Sequence, residues 1–169
     1  MKKITLKYFK NKLRNNLKFK KIVMTNGCFD IIHSGHVDYL QKSKKLGDVL
    51  LVAINADISI KNLKGKNRPI NNLSDRIKVL TSISFVDYII PFKSKTPERL
   101  YKLIKPNIIT KGGDYKKSNI AGLNHVLENG GKLKLIPLTK NKSTSDIINK
   151  IKNFKLLFVL VVQALLDLI

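Results

Sequence analysis

Five short runs of apolar, largely β-branched residues recur along the chain at 21–25, 49–55, 88–91, 108–111 and 132–137, and each is followed by a stretch of helical period. Runs of this length bounded by turn residues read as strands, and strands that alternate with helices build a parallel sheet. The expected helices lie at 36–45, 74–82, 97–105, 120–129 and from 145 onward. Their punctuation agrees. Gly47 follows the first, Thr96 and Pro97 supply an N-cap and first-turn pair, Gly130 ends the fourth, and Ser143 or Thr144 can cap the last.

A chain of 169 residues suits one domain with its own core. The division expected is a basic, helical segment at 1–20, the domain at 21–152 and an apolar tail at 153–169. Met1 to Lys21 holds nine basic residues and no acidic one, without the apolar run and small-residue cleavage site of a secretory signal. Cys28 is the single cysteine, which leaves no intramolecular disulfide and fits a reducing, cytoplasmic setting. A formal charge of +22 would ordinarily direct attention to nucleic acid or an anionic membrane surface. Here the basic residues are nearly all lysine, with Arg14, Arg68, Arg76 and Arg99 the only arginines, and they are spread among many Asn and Ile residues. That distribution fits the codon bias of an AT-rich genome. No cluster of arginine and aromatic residues marks a reading face, so nucleic acid is not an expected partner.

In an open parallel sheet, ligands collect at the carboxyl ends of the strands where the strand order reverses. The first strand ends in Thr25-Asn26-Gly27-Cys28-Phe29-Asp30-Ile31-Ile32-His33-Ser34-Gly35-His36. A helix begins near His36, so unpaired N–H groups and a partial positive charge meet a glycine that allows close approach, a setting for phosphate. Two imidazoles there can donate to phosphoryl oxygens. Nucleotidyl transfer needs the attacking phosphate and the α-phosphate held in line, with donors where charge accumulates. Two other readings stand beside this one: ordinary loop and cap histidines, as for His125, or a metal held by Cys28, His33 and His36 with Asp30. The spacing departs from the usual zinc patterns and leaves Gly35 without a role. Neither a G-x-x-x-x-G-K-[ST] loop nor a G-x-G-x-x-G fingerprint occurs.

The T-N-G-C-F-D-x-x-H-x-G-H segment resembles the HxGH signature of the cytidylyltransferase-like nucleotidyltransferases. Within them the chain is similar to the D-glycero-β-D-manno-heptose 1-phosphate adenylyltransferases. The likeness continues through Leu46-Gly47-Asp48, Ile54-Asn55-Ala56-Asp57, Leu63-Lys64-Gly65, Arg68-Pro69-Ile70-Asn71, Asp75-Arg76, Lys111-Gly112-Gly113-Asp114-Tyr115 and Ser143-Thr144-Ser145-Asp146-Ile147-Ile148. It implies an α/β, Rossmann-like open parallel sheet of five or so strands with helices on both faces. It also implies transfer of AMP from ATP, with Mg²⁺ on the triphosphate, to the heptose 1-phosphate. The products would be ADP-heptose and pyrophosphate, supplied to bacterial lipopolysaccharide. A separate heptose kinase upstream and a homo-oligomer are expected with it. Another HxGH activity remains an alternative: a glycerol-phosphate or ethanolamine-phosphate cytidylyltransferase, or an FAD synthetase. So does a noncatalytic basic binding module.

Carried over residue by residue, the resemblance makes His33, His36 and Lys64 catalytic. Thr25, Asn26, Gly27, Cys28, Phe29, Gly35, Lys111, Gly112, Gly113, Asp114, Ser143, Thr144 and Ser145 would bind the nucleotide, and Asp30, Arg68 and Arg76 the acceptor. Each has a physical basis. Lys64, expected in a loop before Gly65, is a mobile point charge for phosphate, with Lys61 and Lys66 as competitors. Arg68 sits on backbone stiffened by Pro69 and can grip a phosphate in two places. Arg76 lies in an expected helix, where a solvated position or an ion pair is the plainer reading. The Gly112–Gly113 pair allows approach to a flat base or ribose, and Asp114 can accept from a hydroxyl. Ser143, Thr144 and Ser145 open a helix and can steady the β- and γ-phosphates. The family usually has a glycine or small residue before this serine–threonine pair, whereas Lys142 stands here.

The tail from Phe154 to Ile169 lies beyond the resemblance. It is too short, and too interrupted by Gln163 and Asp167, for a membrane span of about 20 apolar residues. A helix packed on the domain or on a second subunit is expected, with a membrane-surface anchor or a nonnative extension as alternatives.

Overall fold

The computed structural model describes residues 2–113, 117–137, 139 and 142–166; at 117, 155–157 and 159–166 it describes the backbone. Five strands form one parallel sheet: β1 (Ile22–Gly27), β2 (Val49–Asn55), β3 (Tyr88–Phe92), β4 (Ile108–Gly112) and β5 (Lys132–Ile136). The spatial order is β3-β2-β1-β4-β5. The chain therefore builds outward from β1 on one side and then returns to its other side, which places the reversal between β1 and β4.

The strands alternate between two cores because successive side chains point to opposite faces. In β2, Val49, Leu51 and Ala53 join one cluster, while Leu50, Val52 and Ile54 join the other. Against the first pack α6 (Glu98–Ile104) and α7 (Leu123–Glu128), through Leu100, Tyr101, Ile104, Leu123 and Val126. Against the second pack α3 (Ser34–Lys44) and α5 (Leu73–Ser82), through Tyr39, Leu40, Ile77 and Leu80. A three-layer α/β fold with helices on both faces results, as the apolar runs require.

The N-terminal segment is helical in three short pieces: α1 (Leu6–Tyr8), a π-turn (Phe9–Leu13) and α2 (Arg14–Asn16). Its buried Phe9, Leu13 and Leu17 extend the first core. Ahead of it, Ile4 N–H donates to Ile89 O at 2.9 Å, so the segment covers the open edge of β3.

Two expectations need correction. An additional helix, α4 (Asp57–Lys64), follows β2, so Lys64 is the last residue of a helix rather than part of a loop. Ser59 and Ile60 are the buried residues of α4, and at eight residues it is shorter than the stretch over which a helical apolar pattern is read. Pro97 is the N-cap of α6 and not its first residue. The final helix, α8, runs Thr144–Leu166, and Ile151, Phe154 and Phe158 on it are 61%, 73% and 69% exposed. Among the described residues, no helix is long and apolar enough to cross a membrane.

Candidate active site

The carboxyl ends of β1 and β4 lie side by side at the reversal and open onto a cavity of about 300 Å³. Its wall comprises Asn26, Gly27, Cys28 and Phe29 from the end of β1, then His33, Gly35, His36 and Tyr39 from α3 and its approach. Lys64 enters from α4, Gly112 from β4, and Thr139 and Lys142–Ser145 from the entry to α8. The three expected catalytic residues are thus brought together from two separate helices. Lys61 and Lys66 do not line the cavity.

The loop after β1 turns sharply because Phe29 adopts a left-handed backbone, φ 47°. That folds the Phe29 ring back over Gly27, where a Cβ would meet it at 3.0 Å, and against His36, ring centroids 5.3 Å apart. His33 is the N-cap of α3 in extended backbone and His36 lies in its first turn. Their rings stack at 4.0 Å with a 33° tilt. The Nδ1 atoms of both are buried, and among the described residues neither has a hydrogen-bond partner. Burial, the neighbouring His33 and Lys64 push the His36 pKa down to about 4. His33 is also lowered, by burial and then Lys142, with Asp146 opposing. Both imidazoles are therefore neutral at physiological pH, each with one N–H to donate.

A second helix N-terminus faces them. Ser143 caps α8 by accepting from Asp146 N–H at 3.0 Å, and Thr144 Oγ1 donates to Ile31 O at 3.2 Å, tying α8 to the loop before α3. Thr139 Oγ1 donates to Asp38 Oδ2 at 2.9 Å and adds a tie to α3 itself. Gly35 is required where the two helix starts meet: a Cβ there would lie 3.1 Å from both His33 Nδ1 and Lys142 Cβ. Lys142 thus stands against Gly35 through its Cβ.

The remaining expected residues take more varied places. Lys111 is buried, which lowers its pKa to about 8, and its ammonium donates to Asn26 Oδ1, which also accepts from Tyr101 Oη at 3.1 Å. Thr25 is fully buried in a hydroxyl network with Tyr39 at 2.7 Å and does not line the cavity. Gly113 donates to Ile136 O and lies outside the wall. Asp114 lies outside the described residues. Cys28 lines the wall, its thiol pKa raised chiefly by burial.

Asp30, Arg68 and Arg76 form a framework behind the loop. Burial would raise the Asp30 pKa, but the amides of Asn71 and Ile70, 2.9 and 3.0 Å away, and the Arg68 side chain outweigh it and hold the pKa below the ordinary value. Arg68 reaches Asp30 Oδ2 through Nε at 2.8 Å and Nη2 at 2.7 Å. Arg76 is 1% exposed and donates to Asn71 O, Cys28 O and Asp57 Oδ1. Asp30 and Arg76 line a smaller cavity of about 190 Å³ that shares Phe29 with the larger one.

Among the described residues no three His, Cys, Asp or Glu side chains are placed to hold a metal ion, and none lining the larger cavity is a carboxylate. Asp30 is committed to Arg68 and two amides. The wall does not fit a resident Mg²⁺. The sequence did not single out Tyr39 or Thr139. Thr139 follows the last strand at the ligand edge, a positional signal, but Tyr39 reads as an ordinary core aromatic on α3.

A profile described as cytidylyltransferase-like matches residues 24–150. The bifunctional protein HldE of Haemophilus influenzae (strain PittEE) is 52% identical over 136 residues, which cover 80% of this chain and 29% of that protein. HldE of Coxiella burnetii (strain Dugway 5J108-111) is 52% identical over 132 residues, covering 78% and 28%. The chain thus spans less than a third of these relatives' length. Among solved structures, a lipopolysaccharide core biosynthesis protein from Thermoplasma volcanium GSS1 is 34% identical, with a TM-score of 0.59, over 73% of this chain and 99% of that one. A pantoate–β-alanine ligase from Francisella tularensis, at 20% identity and a TM-score of 0.60, shares the fold over 87% of this chain and 75% of its own.

Proposed function

The chain belongs to the cytidylyltransferase-like family of nucleotidyltransferases, and we propose that it transfers AMP from ATP to D-glycero-β-D-manno-heptose 1-phosphate. A phosphate oxygen of the acceptor attacks the α-phosphorus, the bond from that phosphorus to the oxygen bridging it to the β-phosphorus breaks, and pyrophosphate leaves as ADP-heptose forms. The observation that carries the reading is the pair of stacked, neutral imidazoles at the start of α3, facing the start of α8 across one cavity.

Each wall group has a part in that step. The N-termini of α3 and α8 direct backbone N–H groups and partial positive charge at the phosphates. His33 and His36, desolvated and neutral, donate to oxygens that gain charge in the transition state without first being held by a bound cation. Lys64 and Lys142 supply mobile positive charge, and the leaving pyrophosphate rests on Ser143, Thr144 and Ser145. Gly112 leaves room for the base and ribose at the end of β4, with Lys111 and Asn26 beneath it. Asp30 and Arg68 shape the acceptor side. ATP enters as its Mg²⁺ complex, so the cation is part of the substrate.

The same reading includes a separate sugar kinase as supplier of the 1-phosphate, a cytoplasmic setting and a homo-oligomer. Its test is pyrophosphate release with ATP or CTP, each crossed with heptose 1-phosphate, glycerol 3-phosphate, phosphoethanolamine and FMN. Turnover with ATP and the heptose 1-phosphate at least tenfold above every other pair is expected. Preference for CTP or another acceptor moves the chain to a different activity of the family, and no turnover with any pair removes the enzyme reading.

A further inference from the structure

Arg76 sits at the centre of a clasp that the transfer step does not use directly. Its three donor contacts join three separate pieces of chain: Nη1 to Cys28 O at 2.6 Å in the cavity wall, Nη2 to Asp57 Oδ1 at 2.7 Å at the start of α4, and Nε to Asn71 O at 3.0 Å. Asp57 and Asn71 are the two ends of the segment that carries Lys64. Asp57 Oδ2 also accepts from Leu73 N–H at 3.2 Å, so one carboxylate links the first turn of α4 to the first residue of α5. At the far end, Asp30 binds the amides of Ile70 and Asn71, and Asn71 Nδ2 returns a bond to Asp30 O at 2.7 Å.

Between these ends the segment has little support of its own. Lys61 to Asn67 are all exposed, and Gly65, with φ 94°, ends the helix over open space. Inside α4 the anchors are buried Ile60 and the Asn55–Ser59–Ser94 hydrogen bonds, all in its first half. The direction of the last turn, and with it the position of Lys64 at the cavity, is therefore set by how the first turn is held. A helix transmits such a tilt over its length: seven residues separate Asp57 from Lys64, about 10 Å at 1.5 Å per residue.

We propose that Arg76 is a positioning residue that acts through Asp57 on Lys64, closing the segment from Asp57 to Asn71 at its base and fixing it to the Cys28 carbonyl. It does not touch the substrates. A buried guanidinium suits the task because its planar fork can serve three oxygens at fixed angles, which a lysine ammonium cannot reproduce. The assignment of Lys64 to the phosphates rests on the proposed transfer reaction; the clasp itself does not.

The test is a double-mutant cycle on the full chain with Asp57→Ala and Lys64→Ala, read in single-turnover transfer, together with hydrogen exchange of the same variants. Asp57 is chosen because its side chain is 38% exposed, so its removal opens no core cavity. Asp57→Asn, which keeps an oxygen for Arg76, should recover part of any loss. Asp57→Ala is expected to slow transfer about tenfold in the parent and less than twofold when Lys64 is already alanine, the non-additivity of residues acting as one unit. Amides at 61–65 should exchange at least tenfold faster in Asp57→Ala while those of β1 and β2 are unchanged. Equal rate losses in both backgrounds, or unaltered exchange at 61–65, would overturn the proposal. Were no transfer seen with the parent, the reaction assignment would fail, and the exchange result alone would decide whether the clasp holds the segment.

Discussion

Gly35→Ala separates the site from the fold with a single methyl group. The glycine lies in the first turn of α3 with ordinary helical backbone, so alanine causes no conformational strain and gains up to about 1 kcal/mol of helix propensity. The new Cβ would stand 3.1 Å from His33 Nδ1, 3.2 Å from His33 Cε1 and 3.1 Å from Lys142 Cβ. Each distance is a few tenths of an ångström too short, so the His33 ring, the start of α8, or both must move. A misplacement of about 1 Å in a reacting constellation costs about a hundredfold, so a shift of roughly a third of that should lower kcat/KM by about five- to tenfold, near 1.4 kcal/mol at the upper end. Thermal unfolding should meanwhile be unchanged or rise by about 2–4 °C. Steady-state pyrophosphate release and calorimetry on the same preparation measure both. Full activity in the folded variant, or activity and stability falling in parallel, would refute the argument that Gly35 is there for close approach.

Replacing His36 with alanine should leave the fold intact and reduce kcat by about 10²–10³, the usual cost of one transition-state donor. His36 also makes the parent acid-sensitive: its folded pKa of about 4 lies below the ordinary 6.5, so protons bind the unfolded chain preferentially and stability falls as pH drops from 6.5 to 4. Up to about 3 kcal/mol is at stake, and denaturant midpoints across that range should decline less steeply in His36→Ala. Gly112→Val, which puts a stiff side chain into the wall at the end of β4, should weaken ATP binding at least fivefold more than acceptor binding, as measured by calorimetric titration. Deleting the residues after Lys152 should leave kcat/KM within twofold, because the site uses only the start of α8; sedimentation velocity should show less self-association once the exposed Phe154 and Phe158 are gone.

The sheet was legible because its strands are short apolar or alternating runs bounded by turns: β2, wholly buried and apolar up to Asn55, was located to the residue, and the others differ only at their ends. Helix α4 was missed for the opposite reason. At eight residues, with just Ser59 and Ile60 buried, it is shorter than the stretch over which helical periodicity is read, and the tie from Arg76 to Asp57 helps to hold it. The histidine pair could be read from spacing, since Gly35 between two histidines at a helix start has a simple physical meaning. The burial that makes both neutral could not, because it depends on Phe29 folding back and on α8 arriving from more than a hundred residues away. Arg76 shows the limit most plainly. A motif can mark an arginine as important, but only its partners, the carbonyls of Cys28 and Asn71 and the carboxylate of Asp57, tell a supporting part from contact with a ligand.

In the proposed reaction the cavity between α3 and α8 transfers the α-phosphoryl group of ATP, with its nucleoside, to a sugar phosphate. ATP labelled separately at the α- and γ-phosphorus, mixed with the heptose 1-phosphate and the purified chain, tests it directly. The α-label is expected in ADP-heptose and the γ-label in pyrophosphate, in equal amounts and at a rate at least a hundredfold lower in His36→Ala. Label from the γ-position in the sugar product, α-label in free AMP alone, or transfer that survives the loss of His36 would contradict it.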